Sequence, residues 1–222
     1  MTLQRNLSAA TTSFFGKKTK GTILSTSLEL FNQSGFHAVS TAQIASASDV
    51  LEGTLWYHFK AKQDLAKTHL ETLEVRLEES LLLSGTTDPQ AVVERYLSIF
   101  DTLWDFRYLL RDPLPILQAD PDFANRIKHT YKSVEKNTAH RLKMACDEGL
   151  LSLCDVDVNA LAKNCVVIGR YWLDYIRIRN GCLQNRDSDK RQAAQQVLLV
   201  LKPYLTPKAL SLIGASPSEI LP

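Results

Sequence analysis

The stretch STAQIASASDVLEGTLWYHFKAKQDL, residues 40–65, decides the fold of this 222-residue chain. It begins with a helix start signal, because Ser40 followed three residues later by Gln43 can form a capping box. Its second half places four ring-bearing side chains in a row: Trp56, Tyr57, His58 and Phe59. An α-helix turns once in about 3.6 residues, so four consecutive side chains cannot share one buried face. Part of this set must therefore point outward.

The composition is that of a globular protein. Apolar residues make up 45% of the chain, which is enough for a substantial core. No apolar run approaches the roughly 18 residues of a membrane span, and the N-terminus lacks the apolar block of a secretory signal. We therefore expect a cytoplasmic protein with no membrane partner. The four cysteines show neither a C-x-x-C pair nor the histidine spacing of a zinc site, so no metal and no cofactor is predicted.

Positive charge is concentrated at the N-terminal end. Residues 1–63 hold six basic side chains against three acidic ones, whereas the rest of the chain holds 20 basic and 21 acidic ones. A basic excess at one end suits contact with a polyanion. Lys17, Lys18 and Lys20 lie at the start of the first predicted helix and are candidates for an arm that reaches such a partner.

Helical periodicity extends through most of the chain, and glycine and proline are sparse, at 9 and 8. These features predict an all-α protein. Gly35 is expected to end the first helix as a residue that can take a positive φ, and Asp49 to take the left-handed conformation in the turn after the second. The buried stripe of the fourth helix includes His69. Predicted helices cover residues 18–34, 40–47, 51–58, 62–83, 89–106, 107–118, 121–149, 156–181, 189–204 and 207–213.

Two short helices joined by a tight turn, at 40–58, form a helix-turn-helix. Leu55 and Phe59, one helical turn apart, are predicted to anchor the second of them to the core. The segments TKGTILSTSLELFNQSGF and STAQIASASDVLEGTLWYHFKAKQDL, within residues 19–65, resemble the DNA-binding domain of the TetR family of bacterial transcriptional regulators. The residues in family register are Ile44-Ala45, Gly53-Thr54-Leu55, Tyr57-His58-Phe59-Lys60 and Lys62-Gln63-Asp64-Leu65.

The resemblance implies an N-terminal three-helix helix-turn-helix domain followed by a larger helical bundle for ligand binding and dimerisation. The expected division is a flexible N-terminal arm (1–18), a DNA-binding domain (19–64) and a ligand-binding and dimerisation domain (65–222). The implied partners are a double-stranded DNA operator, a second copy of the chain and an unidentified small-molecule effector, expected to be apolar. The implied function is sequence-specific transcriptional regulation, by a repressor whose DNA affinity the effector alters.

The resemblance also makes 51–58 the recognition helix. Glu52, Gly53 and Trp56 are expected to carry sequence information, with the Glu52 carboxylate preferring a cytosine amino group. Gly53 and Thr54 leave room for close approach to the duplex. The remaining residues expected to contact the DNA backbone are Ser40, Thr41, Thr54, Tyr57, His58 and Lys62.

Three positions depart from the family pattern. Ser48-Asp49 replaces a small residue and glycine in the turn, Leu51 replaces a Ser or Thr cap, and Ala61 replaces a frequent Ser cap of the fourth helix. A lost cap costs about 1 kcal/mol. Asp49 followed by Glu52 can form a substitute capping box, which would start the recognition helix earlier.

The second domain carries two further groups of candidate residues. Apolar stripes on helices 156–181 and 189–204 are wider than one core needs, and the resemblance places the dimer interface there: Leu161, Cys165, Ile168, Gly169, Ala194, Val197, Leu198 and Leu201. An aromatic-rich region predicts an apolar ligand pocket, formed by Phe100, Trp104, Tyr108, Phe123, Tyr131, Trp172 and Tyr175. An ordinary core accounts for the aromatic set as well, and for part of the interface set.

Two other classes of function compete with transcriptional regulation. A TetR-like protein that acts as an interaction or structural factor, with weak or no specific DNA binding, is favoured by the altered turn and caps. An enzyme is not predicted, because the chain contains no G-x-x-x-x-G-K-[ST], H-E-x-x-H or G-x-S-x-G motif, and no catalytic residue is assigned.

Overall fold

A computed structural model describes residues 14–82, 98–111, 116, 120–181 and 187–213 of the chain. Over these residues the structure is helical and contains no β-strand, which confirms the predicted all-α class. The start of the helix predicted over 89–106, and most of residues 112–118, lie outside the described part. The helices are α1 (Thr19–Ser34), α2 (Thr41–Ala47), α3 (Glu52–His58), α4 (Lys62–Leu82), α5 (Arg107–Arg111), α6 (Pro121–Asp147), α7 (Val158–Asn180), α8 (Asp187–Leu201) and α9 (Pro207–Ile213), with residues 98–105 also helical and a 3₁₀ turn at Lys202–Tyr204.

The chain divides into two compact units. Unit 1 comprises Met1–Arg76 and Asp105–Ile127, and unit 2 comprises Leu77–Trp104 and Lys128–Pro222. Unit 1 thus takes in residues 65–76 and 105–127, which the sequence division assigned to the second domain.

The core of unit 1 explains why the segment after residue 104 belongs to it. Buried Asn32 on α1 donates from Nδ2 to the carbonyl oxygen of Asp105 at 2.7 Å and accepts from the backbone N–H of Tyr108 at 3.1 Å. A buried amide satisfied on both sides fixes a backbone segment against its helix, because leaving either group unbonded costs about 1–3 kcal/mol. The pair of bonds therefore ties residues 105–108 to α1.

The residues before α1 are also packed. The ring of Phe14 stacks on Phe106 at 6.1 Å between centroids, and the ring of Phe15 lies 5.5 Å from that of His69. Gly21 permits this arrangement, since a Cβ at this position would lie well inside van der Waals contact of the Phe15 and Gly16 carbonyl oxygens. Both phenylalanines fall in the segment predicted as a flexible arm, and they pack because their rings gain apolar contacts in unit 1.

Unit 2 has two apolar clusters, and the inner face of α7 contributes residues to both. One joins α7 and α8 through Phe100, Cys165, Ala193, Ala194 and Val197. The other joins α6 and α7 through Ala139, Leu142, Leu151, Leu161 and Ala162. Helix α7 begins where it does because the Asp157 carboxylate accepts from the backbone N–H groups of Asn159 and Ala160. No helix in the described part of the chain is long and apolar enough to cross a membrane.

Candidate nucleic-acid interface

The second helix of unit 1 is fixed by the predicted capping box. The backbone N–H of Gln43 donates to Ser40 Oγ at 3.2 Å, and the backbone N–H of Ser40 donates to Gln43 Oε1 at 2.8 Å. The turn that follows contains Asp49 at φ 58°, the left-handed conformation that the sequence predicts. Gly35 ends α1 with φ 86°, the positive φ that the sequence predicts, and donates its N–H to the Phe31 carbonyl. These three features define the two connections, from α1 to α2 and from α2 to α3.

Helix α3 is held by two side chains on one face. Leu55 and Phe59 are buried together with Ile44 and Phe31, which confirms the prediction for the inward pair. Burying a leucine or phenylalanine stabilises by about 1.5–3 kcal/mol each. A seven-residue helix is too short to be stable alone, so this anchoring gives α3 its defined position.

The ring-bearing side chains between these anchors point outward. Trp56 is 39% exposed and Tyr57 is 76% exposed, whereas His58 is half-buried with its ring 5.1 Å from the Tyr57 ring. Gly53 is exposed, and no atom lies within 4 Å of the Cβ that an alanine would add there. The outer face of α3 therefore combines two aromatic rings with a gap that lets a partner approach the backbone.

The start of α3 differs from the expected substitute box. The helix begins at Glu52 with Leu51 as its N-cap, and no side chain caps it. The Thr41 hydroxyl donates instead to Glu52 Oε1 at 2.9 Å, which joins the first turns of α2 and α3. This contact fixes a carboxylate oxygen of one predicted base-reading residue. Leu51 itself is 80% exposed, which the sequence did not indicate.

Lys62, which the sequence predicts as a phosphate ligand, is already engaged within the protein. Its ammonium donates to the carbonyl oxygens of Phe36 at 2.8 Å and Val39 at 2.9 Å, and lies 4.4 Å from the centre of the Phe36 ring. Burial lowers the pKa of this ammonium from its ordinary value. Lys62 therefore braces the α1–α2 connection against the start of α4, because two of its three donors already have protein acceptors.

The other predicted backbone contacts lie around α3. Thr41 and Thr54 are half-buried, whereas Ser40 is exposed with its hydroxyl engaged in the cap. Four further cationic side chains of this region are exposed, the three arm candidates Lys17, Lys18 and Lys20 together with Lys60. The missing cap at Ala61 is compensated, since its backbone N–H donates to Asp64 Oδ2 at 2.9 Å. An aspartate at the third helical position is the sequence signal for that bond.

The seven predicted pocket residues fall into different units. Tyr108 and Phe123 are buried in unit 1, where the Tyr108 hydroxyl bonds to His69. Phe100, Trp104, Tyr131, Trp172 and Tyr175 belong to unit 2. Tyr175 is largely exposed there, Phe100 is part of the α7–α8 cluster, and the Tyr131 hydroxyl accepts from Arg170 Nε at 2.7 Å. The set therefore does not form one cluster within either unit.

The predicted interface residues lie mainly on the inner faces of α7 and α8. Leu161, Cys165, Gly169, Ala194 and Val197 are buried within the chain. Ile168, Leu198 and Leu201 are partly buried against the same clusters. The exposed apolar side chains are on the opposite face of α7 and on α8, at Val167, Tyr171, Tyr175, Ile178 and Leu199. The interface prediction selected the inward stripe because both faces of α7 are apolar and both have helical spacing.

Comparisons with known proteins agree with this architecture. A family model described as "Bacterial regulatory proteins, tetR family" matches residues 23–68, and one described as "Bacterial transcriptional repressor" matches residues 70–213. The regulator QacR of Staphylococcus aureus is 26% identical over 150 residues, which cover 65% of this chain and 78% of that protein. The regulator AcrR of Shigella flexneri is 36% identical over 63 residues, or 28% of this chain and 29% of that protein.

Solved structures show the same fold. A TetR-family regulator from Marinobacter aquaeolei VT8 superimposes with a TM-score of 0.81 at 24% identity, covering 93% of this chain and all of that one. The ketosteroid transcriptional regulator KstR2 of Mycobacterium tuberculosis superimposes with a TM-score of 0.63 at 17% identity, over 86% of this chain and 97% of the other.

Proposed function

The chain belongs to the TetR family of bacterial transcriptional regulators, and from this premise we propose that it represses transcription as a homodimer, with α3 in the major groove of an operator and a small-molecule effector that changes its DNA affinity. The observation that carries the proposal is the division of α3 into two faces. Leu55 and Phe59 hold the helix in the core, while Trp56 and Tyr57 project from it. Helix-turn-helix proteins present their second helix to DNA in this way.

The contacts to DNA are divided between reading and positioning. Trp56 offers an apolar ring face and one N–H donor to base edges, and Glu52, held by Thr41, accepts from a base amino group. Tyr57, His58, Ser40 and Thr41 contact the sugar-phosphate backbone. Lys17, Lys18, Lys20 and Lys60 supply exposed positive charge for the phosphates.

The dimer forms through the outward stripe of unit 2. Val167, Tyr171, Tyr175 and Ile178 recur at helical spacing on the exposed side of α7, and Leu199 is exposed on α8. An exposed group of large apolar side chains marks an interaction surface. A second copy is the partner because a helix-turn-helix protein gains specificity by reading two half-sites, about 34–36 Å apart or a multiple of that distance.

The effector binds in unit 2. The indole N–H of Trp172 is buried without a hydrogen-bond partner, and this side chain packs against the cluster that contains Phe100 and Cys165. A buried donor without an acceptor costs about 1–3 kcal/mol, which a ligand with a suitable oxygen can recover. An apolar molecule with one hydrogen-bond acceptor is therefore the proposed effector class. Coupling of about 1–3 kcal/mol between the two sites is enough to change promoter occupancy.

The test is selection of genomic DNA fragments on the purified protein, followed by binding measurements over a range of salt concentrations. Repression predicts one or a few specific sites with two related half-sites, and a salt dependence that corresponds to several phosphate contacts per subunit. Weak association that ignores sequence would instead favour the interaction or structural role. Genes that flank the selected sites then supply candidate effectors.

A further inference from the structure

Leu51 is exposed in a position where neither folding nor helix capping explains a leucine. It is 80% exposed, and no large apolar side chain in the described part of the chain is more exposed. It is also the N-cap of α3, yet it cannot cap. A serine or aspartate here would not expose a large apolar side chain to water and would stabilise the start of the helix. The leucine is therefore free to make contacts outside the subunit.

The backbone of Leu51 is held in a defined place at the start of α3. Leu51 has extended dihedral angles, φ −70° and ψ 147°, and its carbonyl accepts from the N–H groups of Thr54 at 2.9 Å and Leu55 at 3.3 Å. The next residue, Glu52, is fixed in turn by Thr41. Because Leu55 is anchored in the core, its hydrogen bond to the Leu51 carbonyl ties the Leu51 backbone to the buried face of the helix.

The N-terminal residues of a recognition helix are those that approach base edges. In the major groove, three of the four base edges offer only hydrogen-bonding groups and aromatic C–H, whereas thymine also presents a C5-methyl group. An isobutyl side chain has no donor or acceptor, so it has no favourable contact with the polar edges. The matching group is the methyl of thymine.

We propose that Leu51 is a specificity-determining residue that reads the C5-methyl group of one thymine in each operator half-site. The inference rests on the proposed function, since it assumes that α3 lies in the major groove. It adds a reader outside the helix to the polar reader Glu52 and the aromatic reader Trp56. It also gives a reason for the lost cap, because a polar residue at this position would forfeit the methyl contact.

The experiment uses the full-length protein and an operator selected from genomic DNA, in which each thymine is replaced in turn by uracil. This change removes only the methyl group and keeps every hydrogen bond. For the unchanged protein we expect operator affinity to fall about fourfold at the position that Leu51 reads, the effect of one methyl-sized apolar contact. Leu51→Ser, which restores a capping side chain, should bind thymine and uracil equally at that position and keep its discrimination elsewhere.

A loss of stability does not explain the expected result, because Leu51 is exposed and the serine variant should unfold at the same or a higher urea concentration. A Leu51→Ser protein that still distinguishes thymine from uracil everywhere would overturn the proposal and leave another partner for Leu51. An unchanged protein that ignores the methyl at every position would overturn it too. Failure of the proposed function appears earlier, as the absence of any selected operator, and removes this inference with it.

Discussion

The Nδ1 atom of His69 lies 2.8 Å from the hydroxyl oxygen of Tyr108 in the core of unit 1. The opposite nitrogen, Nε2, lies 3.0 Å from the Leu24 carbonyl oxygen. A carbonyl can only accept, so Nε2 carries the proton and Nδ1 accepts from Tyr108. Burial lowers the pKa of His69 from 6.5 to about 3, in spite of the bond to Leu24. The neutral ring therefore links α1, α4 and α5.

Acid is expected to destabilise the protein through His69. In the folded chain the imidazole stays neutral down to a pH of about 3, whereas in the unfolded chain it takes up a proton below its ordinary pKa of 6.5. Its contribution is therefore complete above pH 6.5 and is lost as the pH falls towards 3, by up to about 1.4 kcal/mol per pH unit. Urea unfolding at fixed protein concentration, at pH 7.5, 6.5 and 5.5, measures this slope.

His69→Gln is the control for that experiment, since its amide is neutral at every pH and can still donate to the Leu24 carbonyl. In this variant the slope of the unfolding free energy against pH should be smaller by the contribution of one titrating proton. An equal slope in the unchanged protein and His69→Gln would show that another group causes the pH dependence.

Tyr108→Phe should lower the free energy of unfolding at pH 7.5 by about 1–3 kcal/mol, because Nδ1 of His69 is left buried without a donor.

The DNA-binding end was predictable because its signals are local. The Ser40–Gln43 box, the left-handed Asp49 and the inward pair Leu55 and Phe59 each depend on spacing within a few residues. The engagement of Lys62 was not predictable, because its acceptors are the carbonyl oxygens of Phe36 and Val39, more than 20 residues away along the chain. Backbone acceptors leave no trace in side-chain patterns, so a sequence cannot show that a lysine is already engaged.

The faces of α7 could not be assigned from sequence for a different reason. Cys165 and Gly169 lie on the inner stripe, and Val167 and Tyr171 lie on the outer one, so apolar residues occupy both sides of the helix. Periodicity distinguishes an apolar face from a polar face, but it does not distinguish two apolar faces. The neighbouring helices α6 and α8 decide which face is buried within the chain.

Lys62 and Lys60 form a matched pair for separating folding from DNA contact. Lys62→Met keeps the methylene stem and removes a donor from two carbonyl groups, so we expect a loss of about 1–2 kcal/mol in unfolding free energy. Its DNA binding should keep the salt dependence of the unchanged protein. Lys60→Met removes an exposed charge, and should instead reduce the slope of log affinity against log salt by about one per subunit. If Lys62→Met also reduces the slope of log affinity against log salt, Lys62 contacts a phosphate.

Gly53→Ala should change folding and DNA binding in opposite directions. The residue is helical and no atom lies within 4 Å of the added methyl group, so the protein should gain about 0.5–1 kcal/mol in stability. The same methyl group would enter the space through which the duplex approaches α3, and operator affinity should fall by about 1–3 kcal/mol. Thermal unfolding and operator titration measure the two effects. A stabilised variant with full operator affinity would show that DNA does not approach α3 at Gly53.

Trp56→Ala should reduce specificity without reducing attraction to DNA in general. The side chain carries no charge and projects from α3, so we expect a loss of about 1–3 kcal/mol for the selected operator and almost none for unrelated DNA. Tyr57→Phe is the comparison, because it removes only a hydroxyl from a proposed backbone contact and should weaken both kinds of DNA alike. Equal losses for both DNAs in Trp56→Ala would reassign the indole to positioning.

Val167 and Val75 provide a direct test of the dimer surface, because both are valines and both are 53% exposed. Val167 lies in the outward stripe of α7, whereas Val75 lies on α4 in unit 1. In Val167→Glu a second copy must bury an unpaired carboxylate, so dimerisation should weaken by about tenfold or more, and operator affinity should fall with it. Val75→Glu should leave both unchanged. Sedimentation velocity over a range of protein concentrations reads the association state, and a Val167→Glu protein that remains dimeric at the lowest concentration would place the interface on another surface.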